Sequence, residues 1–154
     1  MIDQIAPVVR AISVGVPPER AFKAFTERIG AWWPLEMHGV FGERAKTCVM
    51  EPRVGGRVYE VSVDGEEATW AEVTAYEPLE RIVWSWRPNR DRPAPTEVEI
   101  TFAPEDGGTR VELTHRGWER LGDEGAEARD SYDSGWPTTL ARFAKIAEET
   151  DAAV

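Results

Sequence analysis

Glu97-Val98-Glu99-Ile100-Thr101-Phe102 and Arg110-Val111-Glu112-Leu113-Thr114-His115, joined through the turn Asp106-Gly107-Gly108, decide how this chain folds. Both runs alternate strictly, and successive side chains of a strand point to opposite faces. Val98, Ile100, Phe102, Val111 and Leu113 therefore share a buried face, and His115 continues that side. Glu97, Glu99, Arg110 and Glu112 face water. A sheet solvated on one face must cover the other with something.

Towards the N-terminus the strands continue as a meander. Arg81 to Arg87 places Ile82, Trp84 and Trp86 on one side, opposite Ser85 and Arg87. Pro88 to Pro95 is a Pro-rich loop that cannot enter a central strand. Trp70 to Tyr76 and Arg57 to Ser62 are strands joined by the hairpin signal Asp64-Gly65. Gly55-Gly56 turns into them from a strand beginning near Lys46. The first strand is Val8 to Val14, rich in β-branched residues and stopped by Pro17-Pro18. Proline is tolerated in a first helical turn, and Phe22, Phe25 and Ile29 recur at helical spacing. Gly30 interrupts and Pro34 ends the pattern, so two short helices, or one broken helix, are predicted over about 17–33.

Towards the C-terminus lies the cover. Tyr132, Trp136, Thr139/Leu140, Phe143 and Ile146/Ala147 recur every three or four residues. A helix over about 124–149 would be roughly 39 Å long and cross the whole sheet. Gly135 and Pro137 are expected to bend it. The charged run Glu119 to Asp130 reads as a solvated loop and helix start. The fold class is thus α+β, an antiparallel sheet covered on its buried face by a long C-terminal helix, with two short helices between the first and second strands. No linker or repeat divides residues 1–154, so they form one domain with an ordered core of about 8–149.

Bulk properties remove several classes of function. The formal net charge is −10 and there is no basic stripe, which disfavours nucleic acid and anionic membrane surfaces as partners. No apolar run approaches the ~20 residues needed to span a bilayer. Met1 to Gly15 has no basic region leading into a long apolar core, so no signal peptide is expected and a cytoplasmic location is. Cys48 is the one cysteine; it lies in an apolar run and reads as an inert buried thiol. Gly55-Gly56 and Gly107-Gly108 open no helix and are turns rather than phosphate cradles. No serine stands in a nucleophile-elbow context. His38, His115 and Cys48 lack metal-ligand spacing, and Glu36 with His38 forms no recognised metal motif, so neither metal nor cofactor is expected.

The seven tryptophans carry what functional signal there is. The ordinary reading of any one of them is core filling. Their placement on a sheet and on the helix facing it gives the alternative, the walls of a cavity in which indole N–H groups can orient a ligand. Glu60 adds a carboxylate in a strand whose two faces are both partly apolar. If Val58 points inward so does Glu60, which would then need partners; if Tyr59 and Val61 do, it is a solvated charge.

Val16-Pro17-Pro18-Glu19-Arg20-Ala21-Phe22, Glu51-Pro52-Arg53-Val54-Gly55-Gly56-Arg57, Glu77 to Trp86, Gly108 to His115 and Gly135-Trp136-Pro137 occur in one order along residues 8–147. In this order the chain resembles the START-like (SRPBCC) helix-grip superfamily, and most closely the bacterial proteins related to the activator of heat-shock protein 90 ATPase. The resemblance implies a long helix gripping a concave sheet, with a cavity between them. It implies that Trp84 and Trp86 line the sheet side, Trp136 and Tyr132 the helix side, and Trp33 the mouth; Phe102, on the same buried face by its alternation, is counted with the site. His38, Glu60 and His115 would be the polar groups of that site, and an acidic residue frequent in the corresponding strand of relatives tilts Glu60 inward. The expected partner is a small apolar or aromatic molecule, bound without catalysis. Two alternatives stand beside this one. A co-chaperone would have a chaperone as its partner, although the separate amino-terminal domain of eukaryotic activators is not seen. A proton-transfer enzyme of isomerase or cyclase type would use Glu60 and a His. The sequence is compatible with a monomer or a dimer.

Overall fold

The computed structural model describes residues 5–35, 40–87 and 94–152, the side chains of 150–152 excepted. Seven strands form one antiparallel sheet: β1 (Val8–Val14), β2 (Ala45–Met50), β3 (Arg57–Ser62), β4 (Glu67–Glu77), β5 (Arg81–Trp86), β6 (Thr96–Glu105) and β7 (Gly108–Arg116), in the order β1-β7-β6-β5-β4-β3-β2. Two short helices, α1 (Pro18–Glu27) and α2 (Ile29–Trp32), connect β1 to β2, and a 28-residue helix, α3 (Gly125–Ala152), follows a 3-10 segment at Trp118–Glu124. This is the predicted α+β helix-grip arrangement, a curled half-barrel sheet holding a long helix.

The alternation read from the sequence sets the two faces. Val98 pairs with His115, Ile100 with Leu113 and Phe102 with Val111, and all six are buried. Ile82, Trp84 and Trp86 sit opposite Ile100, Val98 and Thr96 in the next register, again on the inside. The outer face carries charge instead. Arg81 pairs with Glu77 and Glu99, and Arg116 with Glu97 and Glu99, so that a cross-strand ladder runs over β5, β6 and β7.

Two departures from regular geometry position the interior. The pairing of β3 with β4 shifts between Val58↔Ala71 and Tyr59↔Thr69, which makes Trp70 the extra residue of a bulge. Gly30 brings α2 onto β2: a Cβ there would run into Thr47 Oγ1 and stand 2.9 Å from the Cys48 carbonyl. Only glycine allows that approach, and it seats Trp32 and Trp33 over the sheet.

Helix α3 contains Pro137 in its interior. Proline cannot donate to the carbonyl four residues back, which here is Asp133. That carbonyl accepts from Arg10 Nη2 of β1 at 3.1 Å, while Arg10 Nε donates to Asp133 Oδ1 at 3.0 Å. A side chain from the far edge of the sheet thus takes over the missing helical hydrogen bond.

Candidate functional site

All seven tryptophans are buried, each no more than 7% exposed. They do not stand apart as isolated fillers. Trp33, at the C-terminal end of α2, meets Trp70 of β4, Trp86 of β5 and Trp136 of α3 at centroid distances of 5.0, 5.7 and 5.8 Å. Trp84 stacks on Trp86 at 5.7 Å and on Phe25 of α1 at 5.6 Å. Phe102 closes the other end through Phe22 and Phe25. Tyr132, half-buried, joins the set at Trp86, Trp118 and Trp136. Sheet, helix pair and long helix therefore contribute to one continuous aromatic interior. The rings touch, and Trp33 is in contact with Trp32, Trp70, Trp86 and Trp136.

His115 ends β7 inside this interior, with no exposed surface. Its Nδ1 accepts from Trp136 Nε1 at 3.1 Å, which leaves the proton on Nε2. Nε2 then donates to Thr96 Oγ1 at 2.7 Å, and that hydroxyl reaches the Trp86 carbonyl at 3.4 Å. Trp118 Nε1 donates to the His115 carbonyl at 2.9 Å. Burial pushes the imidazole down from 6.5 to about 3, so it is neutral at physiological pH. Both ring nitrogens are engaged by the protein itself.

Glu60 points inward, which resolves the alternative left open by its strand. It is fully buried together with Val58 and Ser62. The bulge turns Trp70 towards it, and Trp70 Nε1 donates to Oε1 at 3.2 Å. The backbone N–H groups of Val40 and Phe41 donate to Oε1 and Oε2 at 2.6 and 3.0 Å. Charge-assisted bonds of this kind let a carboxylate be buried without a cation. Cys48 lies directly across the β2–β3 pair. Burial and the Glu60 charge push its thiol up to about 12, in keeping with an inert buried cysteine.

Glu60 and His115 do not form a pair. They sit on β3 and β7, four strand steps apart and about 19 Å along the sheet. Trp70 and Trp86 lie between them, linked through centroid distances of 6.1 and 6.4 Å. Direct proton transfer needs about 2.6–3.2 Å. His38 lies outside the described residues.

The indole N–H groups divide into two sets. Trp32, Trp70, Trp86, Trp118 and Trp136 each donate, to the Ala24 carbonyl, Glu60, the Tyr132 hydroxyl, the His115 carbonyl and His115 Nδ1. Trp33 and Trp84 find no acceptor among the described residues. A buried donor left without a partner costs about 1–3 kcal/mol. No lysine or arginine is among the buried residues described, and no group of three or more potential metal ligands occurs among them.

Three of these residues escape a reading by sequence. Thr96 shares the alternation of Val98 and Ile100, so its inward position had a signal. Trp118 follows Gly117, whose φ of 93° lets the chain fold back under His115. Trp70 turns inward only because of the bulge. A separate groove of about 370 Å³ lies on the outer side of β3, β4 and β5, by Arg57, Glu72 and Ser85, and includes none of the predicted site residues.

Comparison with known proteins fits this geometry. The family model for Activator of Hsp90 ATPase homolog 1-like proteins matches residues 15–148, and the chain belongs to that family. Among solved structures it is 34% identical to Txn09, described as an anthrahydroquino-γ-pyrone synthase and solved in complex with a ligand designated SUM. That match covers 95% of this chain and 99% of Txn09, with a TM-score of 0.62. The protein MLL2253 from Mesorhizobium loti is 21% identical with a TM-score of 0.69, over 94% of this chain and 98% of its own. The Aha1 dimer from Colwellia psychrerythraea is 19% identical with a TM-score of 0.64, over 94% and 97%. These last two share the fold. A search of curated proteins finds no match.

Proposed function

We propose that this protein binds a small apolar or aromatic molecule between the concave face of the sheet and α3, without transforming it. The observation that carries this reading is the gathering of Trp33, Trp86 and Trp136 from three separate elements into one buried aromatic set, with Tyr132 reaching towards solvent beside it. Such apolar surroundings with few polar groups are what small-molecule sites offer. The ligand complex of Txn09, at 34% identity, supports the binding of a small molecule.

Ligand entry exchanges ring–ring contacts for ring–ligand contacts. Aromatic pairs contribute about 0.5–1.5 kcal/mol each beyond their area, so the exchange is affordable for an aromatic ligand. Trp33 is the ring that gives way, because it ends a four-residue helix. Trp86, Trp84 and Phe102, held in the sheet, and Trp136, held in α3, form the fixed walls. Glu60 and His115 shape the interior through the bonds they already make. Titration of a panel of neutral lipids and polycyclic aromatics, followed by intrinsic tryptophan fluorescence, tests the reading. A saturable change that Trp33→Ala weakens is expected; a flat response across the panel would refute it.

A second reading is favoured by the name of the 34% identical relative, a synthase. In it Glu60 is the base of a proton-transfer step, as in an isomerase or cyclase. Three N–H donors already occupy the Glu60 carboxylate, so a substrate proton would have to compete with them for its oxygens. Unchanged turnover of a found substrate in Glu60→Gln would remove this reading. Family membership also keeps a chaperone as an alternative partner. An ATPase assay with the host's heat-shock protein 90 decides that, and no stimulation at saturating protein is the result expected here. Among the described residues no helix is long and apolar enough to cross a membrane. A cytoplasmic protein, monomeric or dimeric, completes the proposal.

A further inference from the structure

We infer that Trp33 Nε1 and Trp84 Nε1 are the ligand's hydrogen-bond donors, and that the ligand is an uncharged planar aromatic carrying carbonyl-type acceptor oxygens. This inference rests on the interior site proposed above and names its ligand class. The two indoles are 7% and 0% exposed and have no acceptor among the described residues, whereas the other five each have one. Trp84 stacks between Phe25 and Trp86, and Trp33 is enclosed by Trp32, Trp70, Trp86 and Trp136. A water molecule there would be poorly held, since a buried water needs two to four polar partners and the facing rings offer none. A carbonyl on an aromatic plate meets both needs: its ring replaces ring–ring contacts and its oxygen takes the N–H.

Charge narrows the class. No lysine or arginine is among the buried residues described, and His115 is neutral, so a ligand anion would find no counter-charge among the buried residues described. Glu60 would repel it as well. A ligand cation would compete with three N–H groups already on that carboxylate. A ligand with no acceptor would leave both donors unpaired, so the site should reject it relative to an acceptor-bearing one of equal size.

The test uses 9-fluorenone and fluorene, tricyclic molecules of nearly one shape that differ in one carbonyl oxygen. Calorimetric titration of the intact protein is expected to show fluorenone bound roughly tenfold or more tightly, the factor for one added bond to an unpaired donor. Trp84→Phe or Trp33→Phe, whichever removes the indole that the single carbonyl reaches, should lower that preference, read as the ratio of the fluorenone and fluorene affinities of the same variant. Because a Phe variant can fold poorly, the unaltered protein labelled with ¹⁵N-tryptophan gives a second readout. The indole N–H signal of Trp33 or of Trp84 should move downfield with fluorenone and not with fluorene. Equal affinities, or shifts confined to other indoles, would overturn the inference while leaving the interior aromatic site standing. Failure of both compounds to bind would remove that site and this inference with it.

Discussion

The two ends of the aromatic interior treat their polar groups in opposite ways. Around His115 every donor meets an acceptor: Trp136 to Nδ1, Nε2 to Thr96, Trp118 to the backbone carbonyl. At Trp33 and Trp84 two indoles of the same chemistry, equally buried, meet none among the described residues. Satisfied networks rigidify a core, whereas an unpaired buried donor is destabilising and persists where something else compensates. The contrast separates framework from site within one continuous set of rings, which residue type alone would not do.

Removing part of the framework should therefore cost most. His115→Ala takes the acceptor from Trp136 and the partner from Thr96 and opens a void, for an expected loss of about 3–5 kcal/mol in urea unfolding. Glu60→Gln keeps the shape but turns an amide N–H towards donors at Val40, Phe41 or Trp70, for about 2–3 kcal/mol. If either variant unfolds at the wild-type midpoint, the division into framework and site fails. Trp84→Phe should cost less than an indole with a bonded N–H, such as Trp136→Phe, because it also removes an unpaired donor; equal losses would erase the distinction.

Acid sharpens the comparison. His115 titrates near 6.5 when unfolded and about 3 when folded. The unfolded chain therefore binds the extra proton between those values. Its contribution is complete above pH 6.5 and declines below it, by about 1.4 kcal/mol per unit, towards pH 3. Unfolding measured between pH 6.5 and 5 should show this slope, and His115→Gln should flatten it. Glu99, held below its usual 4.5 by Arg81 and then by Arg116, adds a loss only in more acid solution. That outer ladder is partly exposed, so Glu99→Gln at neutral pH should cost under about 1 kcal/mol, and less in high salt. A larger effect there than at Glu60 would reverse the order proposed.

The sheet faces, the helix pair and the gripping helix were all legible, because period-two and period-3.6 patterns record burial directly. Glu60 was ambiguous because Tyr59 and Val61 are apolar on its other side; its inward turn depends on donors from residues 40 and 41, nearly twenty positions away. Trp70 was hidden more deeply. Counting by twos from Ala71 and Val73 sends it outward, and only the bulge brings it to Glu60. The partner of the carbonyl that Pro137 frees was hidden for a similar reason. That carbonyl is taken by Arg10, 123 residues earlier, and no local pattern announces the contact.

A crystal structure of the protein with the tightest compound of the aromatic panel tests the central claim most directly. The account predicts that the compound lies between the sheet and α3, with Trp33 displaced and with Trp84, Trp86 and Trp136 against its faces. A compound seated instead in the outer groove by Arg57 and Glu72, with the indole cluster unchanged, would contradict it.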